Sequence, residues 1–341
     1  MPLLAVAVAL IVWRGPDWHL VHDAFSAVSW KWVAAAIGLN LLSVLARSLS
    51  WDTAIKQSVT RPYPSFPTVF SAFSVGLFAN AVLPGRVGEL ARVAVLRRRM
   101  PGRKGTTARL VGSVFAHRMF DLFPALTLVI WVLFTAKIPH WAITSLLVVV
   151  GVGFGLFAFA FASARHHNRS VLEGVGPVRR LWEMGRAGLA VLHAPGPAAV
   201  AALFQTLGWV CQLFAVYVAM RAFDIHAPLP AAALVLLLMN VATLFPLWPG
   251  NIGLLQAAIA LPLRSYGVPA GQAIAFGFGL QAIEASVGVG VGLMFLAREG
   301  LSFAMLRRMP DASEAEVPEE EAEAMEALGE EQPDTRARVP G

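Results

Sequence analysis

Asn80-Ala-Val-Leu-Pro-Gly-Arg-Val-Gly-Glu-Leu-Ala-Arg92 is a polar stretch, broken by Pro84 and Gly85, inside an otherwise apolar run. A counterpart stands 165 residues further on: Pro84-Gly85-x-Val87-Gly88-x-Leu90 returns as Pro249-Gly250-x-Ile252-Gly253-x-Leu255. Two interrupted hydrophobic segments in matching positions of two halves point to the substrate site of a transporter built from inverted repeats.

The surrounding composition sets the class. Of 341 residues 57% are hydrophobic and 14% charged, with a mean hydropathy of +0.64. A soluble domain carries about 25% charged residues, and here the charges cluster between long, continuously apolar runs. Outer-membrane barrels instead show alternating strands of about ten residues. The chain therefore reads as an all-α polytopic membrane protein. Its net charge of +6 hides an acidic tail, since residues 311–341 hold 11 acids against Arg336 and Arg338. The remaining basic excess reads as positive-inside loops facing anionic lipid, with no nucleic-acid motif beside it. The single cysteine, Cys211, excludes an intrachain disulfide and a cysteine metal cluster. It lies in an apolar run as a packed side chain.

Outward from the opening stretch, the apolar run 2–13 is short for a span and reads as the end of a first helix or a short anchor, with no cleavable signal. Trp30, Lys31 and Trp32 anchor a span over about 32–50, flanked by Arg47, Asp52 and Lys56. Residues 68–83 end at the first Pro-Gly break, beyond which lies the basic run Arg97-Arg98-Arg99. A full crossing would put that run opposite the basic Lys56/Arg61 loop, so a re-entrant hairpin is expected. Spans over 110–135 and 141–163, a basic surface helix over 165–193 and a span over 198–220 follow. A second hairpin, 231–247 and back over 251–264, precedes the last span, 270–297. The offset maps 32–50 onto 197–215 and 110–135 onto 275–300. The expected architecture is about six transmembrane helices plus two Pro-Gly-tipped re-entrant hairpins in an inverted repeat, with halves over 31–135 and 197–298. The membrane domain spans 1–308 and ends inside, and the acidic tail, 309–341, is read as disordered.

The candidate chemistry lies at the breaks. Arg86, Glu89 and Arg92 share one helical face at spacings of three, a row that neutralises itself while leaving one positive charge for an anionic headgroup. Arginine suits bidentate phosphate binding. Arg118 and Asp121 can pair, as can His117 and Asp121. Glu284 is a lone carboxylate in an apolar helix, costly unless paired or protonated, with Arg47, Arg86 or Arg118 as partners from the other half. Asn80, Asn240, Asn251 and Gln256 offer neutral hydrogen-bonding groups, and Pro84, Gly85, Gly88, Pro249, Gly250 and Gly253 form the hairpin tips. The glycine triplets at 151–155 and 288–292 lack a strand–turn–helix context and read as small-residue packing faces. One histidine and one aspartate fall short of a zinc site; no metal, cofactor or catalytic residue is expected.

The motif Leu83-Pro-Gly-Arg-Val-Gly-Glu-Leu-x-Arg92, Arg118-x-x-Asp121 and Pro249-Gly-x-Ile-Gly253 together resemble the flippase-like membrane family, also described as the lysylphosphatidylglycerol synthase transmembrane region. The resemblance covers about residues 30–298. It implies a protein of a bacterial-type cytoplasmic membrane that moves an anionic phospholipid or lipid-linked precursor between leaflets. The soluble aminoacyl-transferase domain of two-domain relatives has no counterpart here. The family's second motif commonly carries Glu where this chain has Gln256, which leaves Glu284 as the second-half carboxylate. Two other functions remain open: an intramembrane transferase using Glu89, Asp121 or Glu284 as base, and a non-catalytic partner of a lipid-modifying enzyme recruited through the acidic tail.

Overall fold

The computed structural model describes residues 18–59, 61–83, 87–100, 106–138, 143–144, 151, 155, 194–244 and 251–298. The run 2–13, the tips Pro84-Gly85-Arg86 and Pro249-Gly250, almost all of the 141–163 span, the 165–193 segment and the acidic tail lie outside them.

Among the described residues the regular elements are all helices, in the order α1 (Trp18–Ser26), α2 (Trp30–Ser58), α3 (Phe66–Val82), α4 (Gly88–Arg98), α5 (Thr106–Thr135), α6 (Pro195–Ala222), α7 (Leu229–Ala242), α8 (Leu254–Arg264) and α9 (Ala270–Arg298). Prolines in the first turn pre-set the start of α3, α6 and α7. Four helices, over Trp30–Ser58, Arg109–Thr135, Pro195–Ala222 and Ala270–Arg298, are long and apolar enough to cross a membrane. Their outward faces carry unpartnered apolar side chains at helical spacing, among them Phe123, Ile130 and Phe134 on α5 and Leu203, Leu207, Val210 and Phe214 on α6. Such stripes suit lipid as solvent.

The second half repeats the first. Shifted by 165 residues, α2 falls on α6, α3 on α7, α4 on α8 and α5 on α9, with starts agreeing within two residues. The two long equivalents α2 and α6 lie antiparallel. Ser29 N–H donates to the Ala222 carbonyl (3.0 Å), Ser43 Oγ to the Gly208 carbonyl (2.7 Å) and Ser50 Oγ to the Ala201 carbonyl (2.9 Å). Each forward step along α2 matches an equal backward step along α6. Ser43 and Gly208 are themselves one offset apart, so equivalent residues meet at this crossing and a pseudo-two-fold axis passes between them.

Two apolar cores flank the axis, and each borrows from the other half. The first joins α2, α3 and α4 and takes Val287 and Leu296 from α9; the second joins α6 to α9 and takes Val129 and Val132 from α5. Glycine permits the closest of these contacts. A Cβ on Gly292 of α9 would collide with Phe78 Cβ and lie 2.9 Å from the Ser74 carbonyl oxygen. The triplet at 288–292 thus packs through Gly292.

One boundary differs from the sequence expectation. α2 continues to Ser58 rather than ending near 50, because its polar residues are turned inward: Trp51 is fully buried, and buried Asp52 accepts from Lys56 at 2.6 Å. Of the charges taken as a flank, Asp52 is an internal group, while Lys56 reaches it from a partly exposed position.

Helices α3 and α4 pack antiparallel on each other. Asn80 Oδ1 accepts the Gly88 N–H at 2.9 Å, and Gly76 meets Gly88 and Arg92. A Cβ on Gly88 would collide with the Gly76 carbonyl oxygen and come within 2.6 Å of the Asn80 carboxamide. Gly88→Ala is therefore expected to lower stability by about 1–3 kcal/mol or more, the cost of overpacking a close helix contact. Thermal unfolding in detergent measures it, and an unchanged midpoint would contradict this packing.

Candidate functional site

The first break and its neighbours enclose a cavity of ≈ 130 Å³ where α2, α3, α4 and α5 meet α6. Its polar lining is Asn40, Ser43 and Arg47 from α2, Asn80 from α3, Glu89 and Arg92 from α4, His117 and Arg118 from α5, and Gln212 from α6. The spacing Asn40, Ser43, Arg47 places one polar face along an otherwise apolar span.

Arg92 reaches the cavity from the second turn of α4 and is 4% exposed. Its guanidinium lies over Trp51 at 4.6 Å and Phe73 at 5.6 Å from the ring centroids. Trp51 is fixed in turn, its Nε1 donating to Ser113 Oγ at 3.1 Å. The Nε and Nη2 of Arg92 are buried without hydrogen-bond partners. Two aromatic faces offset part of the desolvation, each contributing about 0.5–2 kcal/mol, but they satisfy none of the guanidinium's N–H groups. Arg92 is a buried cation with donors to spare.

Arg47 is held differently. Its Nη2 donates to Gln212 Oε1 at 2.6 Å, its guanidinium stacks on Trp209 at 5.4 Å, and its Nε is unpartnered. Gln212 Nε2 then donates to Glu284 Oε1 at 3.4 Å. Arg47 and Gln212 stand one repeat offset apart. The expectation of an arginine partner for Glu284 resolves to Arg47, acting through an intervening carboxamide. Gly208 makes room for this arrangement, since a Cβ there would lie 2.7 Å from Arg47 Cγ.

Arg118 is committed to carboxylates. Its Nε donates to Glu89 Oε1 at 2.7 Å, its Nη2 makes a second bond to the same oxygen, and its Nη1 reaches Asp121 Oδ2 at 3.1 Å. The other oxygen of Asp121 accepts from Trp209 Nε1 at 2.8 Å and from Gln205 Nε2. This cluster ties α4 and α5 to α6. Glu89 thus turns to Arg118 on α5, while Arg92 stacks on rings. His117 does not join Asp121: it is 2% exposed, its ring meets Phe73 edge-on at 6.0 Å, and Nδ1 has no partner.

Asn251 and Gln256 of the second break lie apart from this cavity. Gly253, at φ 92, opens α8, and Gln256 Oε1 accepts its N–H at 2.6 Å while Gln256 Nε2 donates to Gln281. Asn251, at φ 45, donates from Nδ2 to the Ala242 carbonyl at 3.2 Å. The equivalent N–H groups of Gly88 and Gly253 are thus both capped by carboxamides, Asn80 across the first hairpin and Gln256 within its own helix. Asn240 turns back onto the Leu236 carbonyl at 2.8 Å. Around the second break Gln256 thus bonds to Gly253 and Gln281, and the two asparagines bond to backbone carbonyls.

The candidates therefore divide. Asn80, Glu89, Arg92 and Arg118 line the cavity; Asp121 and Glu284 support it from behind; Asn251 and Gln256 belong to the second break. Asn40, Ser43, His117 and Gln212 join the lining without having been singled out as ligands. Their signal was available as polar residues at i, i+3 and i+7 in an apolar helix, and as the Arg47/Gln212 offset. Among the described residues, no group of three or more metal-ligating side chains occurs.

The family described as Lysylphosphatidylglycerol synthase TM region matches residues 2–292 of this chain. No curated protein and no solved structure matches it.

Proposed function

From the chain's membership of the lysylphosphatidylglycerol synthase transmembrane-region family and the cationic cavity within it, we propose a lipid translocase that moves an anionic phospholipid or lipid-linked precursor between leaflets of a bacterial-type cytoplasmic membrane. The observation that carries this reading is Arg92: a buried guanidinium with unpartnered donors, facing a cavity that Arg47 also lines. An intramembrane cation of this kind is expensive and belongs to a substrate path. A phosphate oxygen supplies the acceptors it lacks. Transfer chemistry draws less support, because Glu89 and Asp121 are engaged by Arg118 and Glu284 is bonded to Gln212 outside the cavity lining, so none is poised as a base toward it.

The hairpins fit the same reading. A 17-residue α3 and an 11-residue α4 extend about 26 Å and 17 Å at 1.5 Å per residue, and α4 falls well short of a hydrocarbon core of about 30 Å. Each hairpin enters and returns on one side, the two from opposite sides. The antiparallel crossing of α2 and α6 suits an axis in the membrane plane, so rocking of the halves would expose the cavity to each leaflet in turn.

Purified protein in liposomes, with head-group-labelled anionic and zwitterionic lipids, tests the activity through leaflet accessibility. Anionic lipid is expected to cross faster than in empty vesicles and faster than zwitterionic lipid; no acceleration of any lipid would end the translocase reading. Removal of 311–341 is expected to leave the rate unchanged, which would argue against a role only as a partner recruited through the tail. With Cys211 replaced by serine, single cysteines at Arg86 and Asn251 report the hairpins. Labelling of both from the same side would refute their opposite entry.

A further inference from the structure

Glu284 stands at the midpoint of the 29-residue α9, level with the charged cavity but behind it. Among the described residues its hydrogen bond comes from Gln212 Nε2 at 3.4 Å. The same carboxamide presents Oε1 to Arg47 Nη2 at 2.6 Å. Glu284, Gln212 and Arg47 belong to α9, α6 and α2, so the chain of contacts crosses the pseudo-symmetry axis and ends at a cation lining the cavity. We propose that Glu284 is a proton-binding site whose occupancy, relayed by Gln212, decides whether Arg47 is free to hold an anion in the cavity. The proposal rests on the translocase reading only in taking a lipid headgroup as that anion.

The charges and donors fix the sign. An ionised Glu284 accepts from Gln212 and so turns the amide oxygen toward Arg47; its own charge also attracts that guanidinium. Arg47 is then held back. When Glu284 takes up one proton, the carboxyl group becomes a donor and loses its charge. Its C=O still accepts from Gln212 Nε2, but more weakly without the charge, while its new O–H is satisfied when Gln212 turns its oxygen toward it, which brings the NH₂ to Arg47, donor against donor. Arg47 loses its acceptor and turns to another anion. Loss of a hydrogen bond to a charged group corresponds to about tenfold or more in affinity.

The surroundings leave Glu284 dependent on this relay. α3 packs on α9 and contributes no ionisable residue. On α8, Arg264 is the last residue, remote from the break. On α6, Arg221 donates to Tyr217 at 2.7 Å near the helix end. On α1, His22 and Asp23 face each other at 3.6 Å and are exposed. Arg92, His117, Arg118, Glu89 and Asp121 stand on the cavity side, and His117 is the titratable group there whose effect must be separated.

The test is binding of dihexanoyl phosphatidylglycerol to the detergent-purified full chain across a pH series, a probe whose phosphodiester keeps one charge throughout. Wild type is expected to bind about tenfold tighter at acid than at alkaline pH. Glu284→Gln is expected to lose most of that dependence, and any residue of it belongs to His117. A wild-type affinity flat with pH, or a dependence unaltered in Glu284→Gln, overturns the proposal. No binding at any pH fails the headgroup site instead. Infrared difference spectra of wild type between acid and alkaline pH provide a second readout that needs no lipid. A protonated carboxyl C=O band, absent from Glu284→Gln, is expected; its absence from wild type overturns the proposal even where the variant folds poorly.

Discussion

Arg92→Met is expected to reduce binding and translocation of anionic lipid about 10- to 100-fold while leaving the protein as stable as wild type, or more so. The two halves of that result have separate causes. Arg92 is buried between Trp51 and Phe73 with Nε and Nη2 unpartnered, so its charge is desolvated without a carboxylate bonded to those nitrogens. A methionine of similar length fills the same slot between two rings without that cost, and replacing buried ionic groups by packed apolar ones is often neutral or stabilising. The binding loss follows from removing a charge-assisted contact to phosphate, about 1.5–3 kcal/mol, or one to two decades. Arg92→Lys separates charge from geometry. It keeps the cation but loses the planar fork and much of the stacking, so an intermediate loss is expected. Thermal unfolding and headgroup binding on the same preparations measure both effects. A destabilised Arg92→Met that still binds lipid at wild-type affinity would make Arg92 a structural residue and remove it from the site.

Much of this architecture was legible before any coordinates. The 165-residue repeat is a pattern of residue types, and helix starts follow such patterns locally: Pro67 and Pro230 open equivalent helices, and Gly88 and Gly253 begin equivalent return limbs. The contacts between repeats were harder to read. Periodicity shows that Asn40, Ser43 and Arg47 share a face, but not that the face meets α6. That pairing is set by an axis through Ser43 and Gly208, which no local signal encodes. The same limit explains why the sequence alone places Arg47 at the end of its span and only as one of three possible partners of Glu284. A charge near one end of an apolar window marks the end of a span in most sequences, and here it marks the approach of a helix 165 residues away. The unequal sharing of charge between the breaks was visible, and the structure gives its consequence: Gln256 closes on Gly253 and Gln281, while Arg92 beyond the first break lines a cavity.

Arg118→Leu is expected to cost about 1–3 kcal/mol of stability, the loss of charge-assisted hydrogen bonds at a partly exposed site. Arg118 answers two carboxylates at once, Glu89 on α4 and Asp121 on its own helix. Removing it takes away the cation that bridges the two carboxylates, and because Arg118 and Glu89 are 44% and 30% exposed, solvent screens part of the loss. The residual bonds from Gln205 and Trp209 to Asp121 are neutral donors and do not replace the lost charge. The triple variant Glu89→Gln, Arg118→Leu, Asp121→Asn is therefore expected to recover most of the stability, because the uncompensated charges go with the cation. The carboxamide oxygen that Asp121→Asn introduces still accepts from Trp209, which keeps α5 on α6. Thermal unfolding of wild type, the single variant and the triple variant in one detergent tests this. Non-additivity is the decisive quantity: a triple variant as unstable as the sum of its parts would mean that the three groups act separately, and the clamp between α4, α5 and α6 would not exist. If recovery is seen, the triple variant also asks what the clamp does for transport. Arg92 and Arg47 remain in place there, so headgroup binding should persist. A fall in translocation against preserved binding would then locate the role of Arg118 in transmitting motion from the first hairpin to α6 rather than in holding lipid.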